Sequence, residues 1–174
     1  LAAIAVGCEL GVRFSDIRKG LYSFRGIARR LEILCKKSVT IVDDYGHHPE
    51  EIRTTLKAIR GLHPKGRLWV LFQPHRFTRT KDLFEDFVGS FEGVDQLIVT
   101  DIYAAGEDPI QGIHSATLVD AIKKKKNGKP QKVEYWPQVG GLASFVFPRL
   151  HPGDLVLTLG AGDIWKVGKE LAQW

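Results

Sequence analysis

Val39-Thr40-Ile41-Val42-Asp43-Asp44-Tyr45-Gly46-His47-His48-Pro49-Glu50-Glu51 decides how this chain is built. A β-favouring run leads into two acids, a phenol, a glycine and two imidazoles, and a proline then stands where a helix should begin. Proline suits that place because its missing N–H is one that no helix would bond. Beyond it, Ile52, Leu56 and Ile59 recur at helical spacing up to Gly61. The stretch therefore reads as a strand over 39–44, a polar turn, and a helix. Upstream, Ser15 is an N-cap candidate for a short helix ending near Phe24. A strand over 29–36 follows, with Lys36-Lys37-Ser38 as a tight polar link suggestive of a hairpin.

The same alternation continues downstream. Strands are expected over 67–73, 96–100, 132–136 and 154–159. Helices are expected over 81–88 (Leu83, Phe84, Phe87 and Val88 on one face), 115–126, 139–147 and 163–172. Repeated strand–helix–strand order implies an α/β fold, a mostly parallel sheet with helices on both faces. Ligands collect at the carboxyl ends of such strands. The polar residues there are Asp43, Asp44, Tyr45, His47 and His48, then His75, Arg76 and Arg79, then Asp101, Tyr103 and Asp108, and finally Asp163; they are expected to converge on one rim.

Composition sets the class. The 174 residues fit one ordinary domain, and 44% hydrophobic with 26% charged residues excludes a disordered or fibrous chain. No apolar run approaches the roughly 20 residues of a membrane span. Residues 1–11 are apolar but lack a basic leader and a small-residue cleavage site, so they read as a helix begun upstream rather than a signal peptide. Cys8 and Cys35 have no CxxC spacing and are expected to be small buried residues in a reducing cytoplasm. A net charge of +5 favours anionic ligands such as nucleotides without indicating nucleic acid. Lys123-Lys124-Lys125-Lys126 reads as the solvated end of a helix, where cations complement the dipole.

The turn after 39–44 holds the densest chemistry. Gly46 lets the backbone bend, and the helix start offers free N–H groups to an anion. A carboxylate here suits ribose hydroxyls, and an imidazole suits positioning or deprotonating an amine. The plainer alternative is that Asp43 or Asp44 caps the turn and one histidine is structural. Neighbouring side chains on extended backbone point opposite ways, so His47 and His48 are not expected to share a metal, and no metal-binding spacing is present. In Phe72-Gln73-Pro74-His75-Arg76-Phe77-Thr78-Arg79-Thr80, the two arginines share a face if a helix begins there, and guanidinium forks suit a small carboxylate or phosphate. In Phe24-Arg25-Gly26-Ile27-Ala28-Arg29-Arg30-Leu31-Glu32, strand alternation would send Arg29 and Arg30 to opposite faces. Gly160-Ala161-Gly162-Asp163-Ile164 is too short for a dinucleotide fingerprint and reads as a close-approach turn. With no GxxxxGK[ST] loop in the chain, phosphate binding for any ATP-dependent reaction must come mostly from elsewhere.

Taken in order, 24–32, 43–49, 73–80, 103–107 and 160–164 resemble the C-terminal domain of the Mur ligases, and the resemblance runs from residue 1 to about residue 172. It implies that 1–12 are the last helix of the family's central ATPase domain and that 13–174 are its Rossmann-like, amino-acid-binding C-terminal domain. It also implies a cytoplasmic enzyme of peptidoglycan synthesis. ATP phosphorylates the carboxylate of a UDP-linked precursor, here UDP-N-acetylmuramate, and an amino acid's amine attacks the acyl phosphate. The central domain would supply the phosphate loop and the magnesium ligands. Arg30 and Asp44 match the family's ATP-contacting arginine and aspartate. In the alanine-adding branch, the two central stretches line the amino-acid site, which implies substrate-binding roles for Tyr45, His47, His75, Arg76 and Arg79. An arginine would take the carboxylate of L-alanine, and His47 is the catalytic candidate at its amine.

Arg29-Arg30-Leu31-Glu32 also resembles the branch that returns a recycled tripeptide to UDP-N-acetylmuramate. Tyr45-Gly46, 73–80 and Tyr103-Ala104-Ala105-Gly106-Glu107 resemble the alanine-adding branch, and several loops outweigh one position. A lid that closes over an acyl phosphate excludes water, so the chain by itself is expected to fold without turning over ATP. Neither nucleic acid nor a membrane is an expected partner. A non-catalytic nucleotide-binding module would share the fold but scatter Asp44, His47 and Arg76, which a ligase should turn to one open cleft. A metal-dependent hydrolase would use the histidines and aspartates as ligands, and a dehydrogenase would need a full glycine fingerprint after an early strand.

Overall fold

A computed structural model describes residues 1–24, 26–63 and 65–174; of the residues singled out above, Arg25 lies outside them. The strands are β1 (Glu32–Lys36), β2 (Thr40–Asp44), β3 (Leu68–Phe72), β4 (Gln96–Val99), β5 (Lys132–Tyr135) and β6 (Leu155–Leu159). They form one sheet in the order β1-β2-β6-β3-β4-β5. β1 and β2 make the expected antiparallel hairpin, and the remaining pairings are parallel.

Side-chain alternation feeds two cores, as it must in a sheet covered on both faces. Leu68, Val70, Phe72, Leu155, Leu157 and Leu159 meet α3 (Pro49–Leu62), α5 (Phe84–Val88) and α6 (Ser115–Lys124) through Ile52, Leu56, Ile59, Phe87, Leu118 and Ile122. Trp69, Leu71, Ile98 and Val156 meet α7 (Leu142–Val146) and α8 (Trp165–Gln173) through Leu142, Val146, Val167 and Leu171. This is the Rossmann-like α/β sheet with helices on both faces.

Several local expectations change. Ser15 does not cap a helix: α2 (Phe14–Ser23) begins two residues earlier than that cap would allow, with Arg13 at the cap position, its guanidinium on Asp16. Residues 81–88 are not one helix. α4 (Phe77–Asp82) stops and α5 begins at Phe84, with non-helical Leu83 between them, which bends the segment so that Phe87 packs on Phe72. β1 starts at Glu32 because Arg29 and Leu31 hold φ of +58° and +48°, outside extended geometry. Cys8 is exposed on α1 (Ala2–Glu9) and Cys35 is half-buried on the edge strand, so neither is a core residue. Every residue of α1 and α2 is at least partly exposed. Lys123 and Lys124 close α6 as expected. Among the described residues, no helix is long and apolar enough to cross a membrane.

Candidate functional site

Asp43 and Asp44 end β2 on opposite faces, and both are withdrawn from solvent, at 1% and 4% exposure. Asp43 accepts hydrogen bonds from the Thr158 hydroxyl at 2.5 Å and from Arg29 Nε at 3.0 Å. Burial pushes its carboxyl up, and the Thr158 and Arg29 bonds offset that only partly. Asp44 accepts the N–H groups of Gly46 and Leu31, both at 2.9 Å, and the Thr55 hydroxyl at 3.2 Å. Asp44 thus caps the turn that it begins. A Cβ on Gly46 would stand 2.7 Å from Asp44 Oδ1, so the turn requires glycine.

Arg29 and Arg30 do diverge, through the positive-φ turn rather than by strand alternation. Arg29 runs inward from Asp43 to the carbonyls of Gly160 and Gly162, strapping the last loop to β2. Arg30 stays half-exposed, 3.6 Å from Glu51 Oε1. Both guanidinium groups lie over the Tyr45 ring, 4.9 and 5.5 Å from its centroid. Arg30 and Asp44 line an open groove of about 300 Å³ with Glu50, Glu51, Thr54 and Thr55, along the first turns of α3.

The start of α3 is a capping box in which exposed His48 is the cap. Glu51 Oε2 takes the N–H groups of His47 at 3.0 Å and His48 at 3.1 Å. Burial alone would raise the Glu51 carboxyl. Those two bonds and the nearby charges of His47 and Arg30 outweigh it and leave the group below its ordinary 4.5. A carboxyl depressed only in the folded chain contributes in full above its unfolded value, and that contribution is lost as pH falls through the folded one. Acidification below pH 4.5 is therefore expected to lower the hydrogen-exchange protection of the His47 and His48 amides. Glu51→Gln should remove this pH dependence; protection that follows pH equally in both chains would exclude Glu51 as its source.

His47 Nδ1 lies 3.0 Å from the Tyr45 carbonyl oxygen, and its ring is 5.7 Å from that of His75. His75 stacks on Tyr103 at 5.5 Å. Arg79 Nη1 is 3.2 Å from His75 Nδ1 and donates to the His75 carbonyl at 3.1 Å. Burial, then the charges of Arg79, His47 and Arg76, hold His75 below the ordinary imidazole range.

The backbone of Arg76 donates to the Tyr103 carbonyl and that of Tyr103 to the Pro74 carbonyl, which carries parallel pairing past the ends of β3 and β4. Arg76 sits at φ +74°, ψ +136°, a strained conformation for a residue with a Cβ, just before α4. It therefore does not share a helical face with Arg79. Its guanidinium is half-exposed, with Nη1 3.9 Å from Glu107 Oε1. Glu107 is anchored by the Thr78 N–H at 3.0 Å and the Thr78 hydroxyl at 2.6 Å.

Beneath these groups, buried Gln73 donates to Asp163 Oδ1 at 2.9 Å and accepts from the Ile164 N–H at 3.1 Å. A Cβ on Gly162 would stand 2.3 Å from Gln73 Oε1 and 2.8 Å from Tyr103 Cβ, so the final glycine turn is a close approach.

The structure thus links Tyr45, His47, His75, Arg79 and Tyr103, with Arg76 beside them, and places Arg30 and Asp44 in a groove whose lining does not include His47 or Arg76. The single open cleft expected for Asp44, His47 and Arg76 is instead two adjoining subsites, because Asp44 folds under its own turn. Glu51, bonded to the His47 backbone and paired with Arg30, joins them. Two rim residues stand apart. Asp101 accepts from the Tyr135 hydroxyl, which burial and then that bond push up to about 12, and Asp108 is exposed. Sequence reasoning missed Arg29, Glu51, Gln73 and Glu107. Glu51, three residues past the histidine at the helix start, was the one with a readable signal, the acidic half of a capping box.

The family model "Mur ligase, glutamate ligase domain" matches residues 29–162. The chain is 45% identical over 172 residues to a UDP-N-acetylmuramate–L-alanine ligase from Desulforamulus reducens, covering 98% of this chain and 36% of that protein. A ligase of the same name from Desulfotalea psychrophila is 47% identical over 174 residues, covering 99% and 37%. The solved UDP-N-acetylmuramate–alanine ligase of Thermotoga maritima has a TM-score of 0.73 at 25% identity, covering 98% of this chain and 35% of that one. The chain spans about a third of the length of the curated relatives it matches.

Proposed function

Because this chain belongs to the Mur ligase family, we propose that it is the domain of an ATP-dependent, amide-forming ligase that presents L-alanine to the acyl phosphate of UDP-N-acetylmuramate and closes over ATP. The observation that carries this reading is the pair of adjoining subsites on one sheet rim, one rich in imidazole and guanidinium, the other lined by Arg30 and Asp44. Residues 1–12 belong in this reading to the central ATPase domain and 13–174 to the amino-acid-binding domain; the exposure of α1 favours the first assignment. The cytoplasm, where ATP and the UDP-linked precursor are made, is the compartment this function requires.

Arg76 offers a half-exposed fork to the alanine carboxylate. His47, its Nδ1 held by the Tyr45 carbonyl, presents Nε2 to the amine. As the amine nitrogen bonds to the acyl carbon, the carbon–oxygen bond to phosphate breaks, inorganic phosphate leaves, and the amine proton passes to His47. Arg30 and Asp44 fit ATP: the guanidinium suits a phosphate, and Asp44 keeps lone pairs for a ribose hydroxyl beyond the bond from Leu31. ATP, with magnesium held by the central domain, supplies the phosphoryl group when bound.

The test is phosphate release by the complete ligase with ATP, magnesium and UDP-N-acetylmuramate, given L-alanine or the murein tripeptide separately. Turnover with alanine is expected. Turnover with the tripeptide alone would move the protein to the recycling branch, and turnover with neither would leave a nucleotide-binding module. The 174-residue chain alone should not hydrolyse ATP.

A further inference from the structure

Resting on the amino-acid site proposed above, we infer that Arg79 is a positioning residue that fixes His75 as the neutral imidazole with its proton on Nε2, so that His75 and His47 meet the amino acid as an unlike pair, one donor and one acceptor.

Hydrogen-bond chemistry assigns each ring. His47 Nδ1 lies 3.0 Å from the Tyr45 carbonyl oxygen and 3.5 Å from Glu51 Oε2, and both are acceptors. Nδ1 must therefore carry the proton, and in the neutral ring Nε2 keeps its lone pair. His75 is the reverse. Its Nδ1 lies 3.2 Å from Arg79 Nη1, and a guanidinium only donates. Nδ1 must be bare, and the proton sits on Nε2. A second bond from the same Nη1 to the His75 carbonyl, at 3.1 Å, keeps the guanidinium in place.

The surroundings resist protonation of His75. Arg79, Arg76 and His47 approach it as cations or potential cations, Glu107 is the opposing carboxylate, and the Tyr103 ring covers one face. A proton on Nδ1 would also break the bond to Arg79 and set two cations together. His75 thus stays neutral, with the His47 ring 5.7 Å away, centroid to centroid.

An amino acid needs such a pair. Its carboxylate requires a donor and its reacting amine requires an acceptor, so two imidazoles in one tautomer would serve one end and oppose the other. Arg79, spent on His75, then leaves the carboxylate fork to Arg76. The ligand class is a free α-amino acid with its carboxylate unblocked.

Long-range nitrogen–proton correlation spectra of the histidine-labelled chain near neutral pH read each tautomer directly. His47 should show its proton on Nδ1 and His75 on Nε2. Arg79→Gln should turn His75 into a tautomer mixture that takes its second proton at higher pH. A proton on His75 Nδ1 in the parent, or a His75 tautomer indifferent to Arg79→Gln, would overturn the inference.

In the complete ligase, His75→Asn should raise the alanine KM roughly 10- to 100-fold, the scale of one hydrogen bond to a charged group, with little change in kcat. His75→Gln, whose amide nitrogen reaches the Nε2 position, should recover most of that loss. Equal impairment of the two variants counts against the inference. Failure of the amino-acid reading itself would look different: an alanine KM indifferent to Arg76→Ala, with the tautomers as assigned.

Discussion

Replacing Arg76 with alanine is expected to raise the KM for L-alanine in the complete ligase by about 100-fold, the scale of losing a paired, charge-assisted grip on a carboxylate. Arg76 is placed for that grip without being consumed by the fold. Its side chain is 50% exposed, and its nearest acidic partner, Glu107, stands off at 3.9 Å. Its backbone, by contrast, is committed through the bond to Tyr103 and the positive φ. Alanine keeps a Cβ at that φ, so the change removes the fork and leaves the backbone strain as it was. With alanine saturating, kcat should hold, since a contact made equally in ground and transition states appears in KM. Arg76→Lys should fall between the two, because an ammonium keeps the charge but not the planar fork. A KM unchanged in Arg76→Ala would remove this residue from the amino-acid site.

The second large effect is on stability. Arg29→Ala should cost about 3–5 kcal/mol and lower the melting temperature by roughly 6–20 °C, because it strands a buried carboxylate. Asp43 is 1% exposed and would keep the Thr158 hydroxyl but lose its cation. The carbonyls of Gly160 and Gly162 would lose their donor as well, loosening the loop that packs on Gln73 and Tyr103. Asp43 has a raised pKa in the folded chain, so its contribution is greatest below its unfolded value and declines as pH rises through the folded one. The deficit of Arg29→Ala relative to the parent should therefore shrink in mild acid, where Asp43 can take a proton. Calorimetry of both chains across pH measures this. A melting shift below about 2 °C would mean that the strap contributes no more than a surface ion pair.

Arg29 also shows where sequence reasoning stopped. Strand alternation at Arg29-Arg30 predicts divergence without saying which residue turns inward. The choice depends on positive φ at Arg29 and Leu31 and on a carboxylate, Asp43, brought alongside by the hairpin. Asp44 illustrates the same limit. Its position at a strand–helix junction was legible, but its withdrawal beneath Leu31, Gly46 and Thr55 was not. The break between α4 and α5 at Leu83 has no proline or glycine to announce it, and the packing of Phe87 on Phe72 is what it serves.

What the sequence determined by itself was the succession of strands and helices, the helix start at Pro49, the glycine turns at Gly46 and Gly160–Gly162, and the grouping of reactive side chains at strand ends. These follow from the period of apolar residues and from backbone preferences between near neighbours, which act along the chain. The tertiary structure alone decided that β6 lies between β2 and β3, that Arg79 is turned onto His75 while Arg76 stays free, and that Glu51 bridges the two subsites. Each of those outcomes depends on groups far apart in sequence or on the direction a side chain takes, and such choices are settled by burial and hydrogen-bond satisfaction across the whole fold.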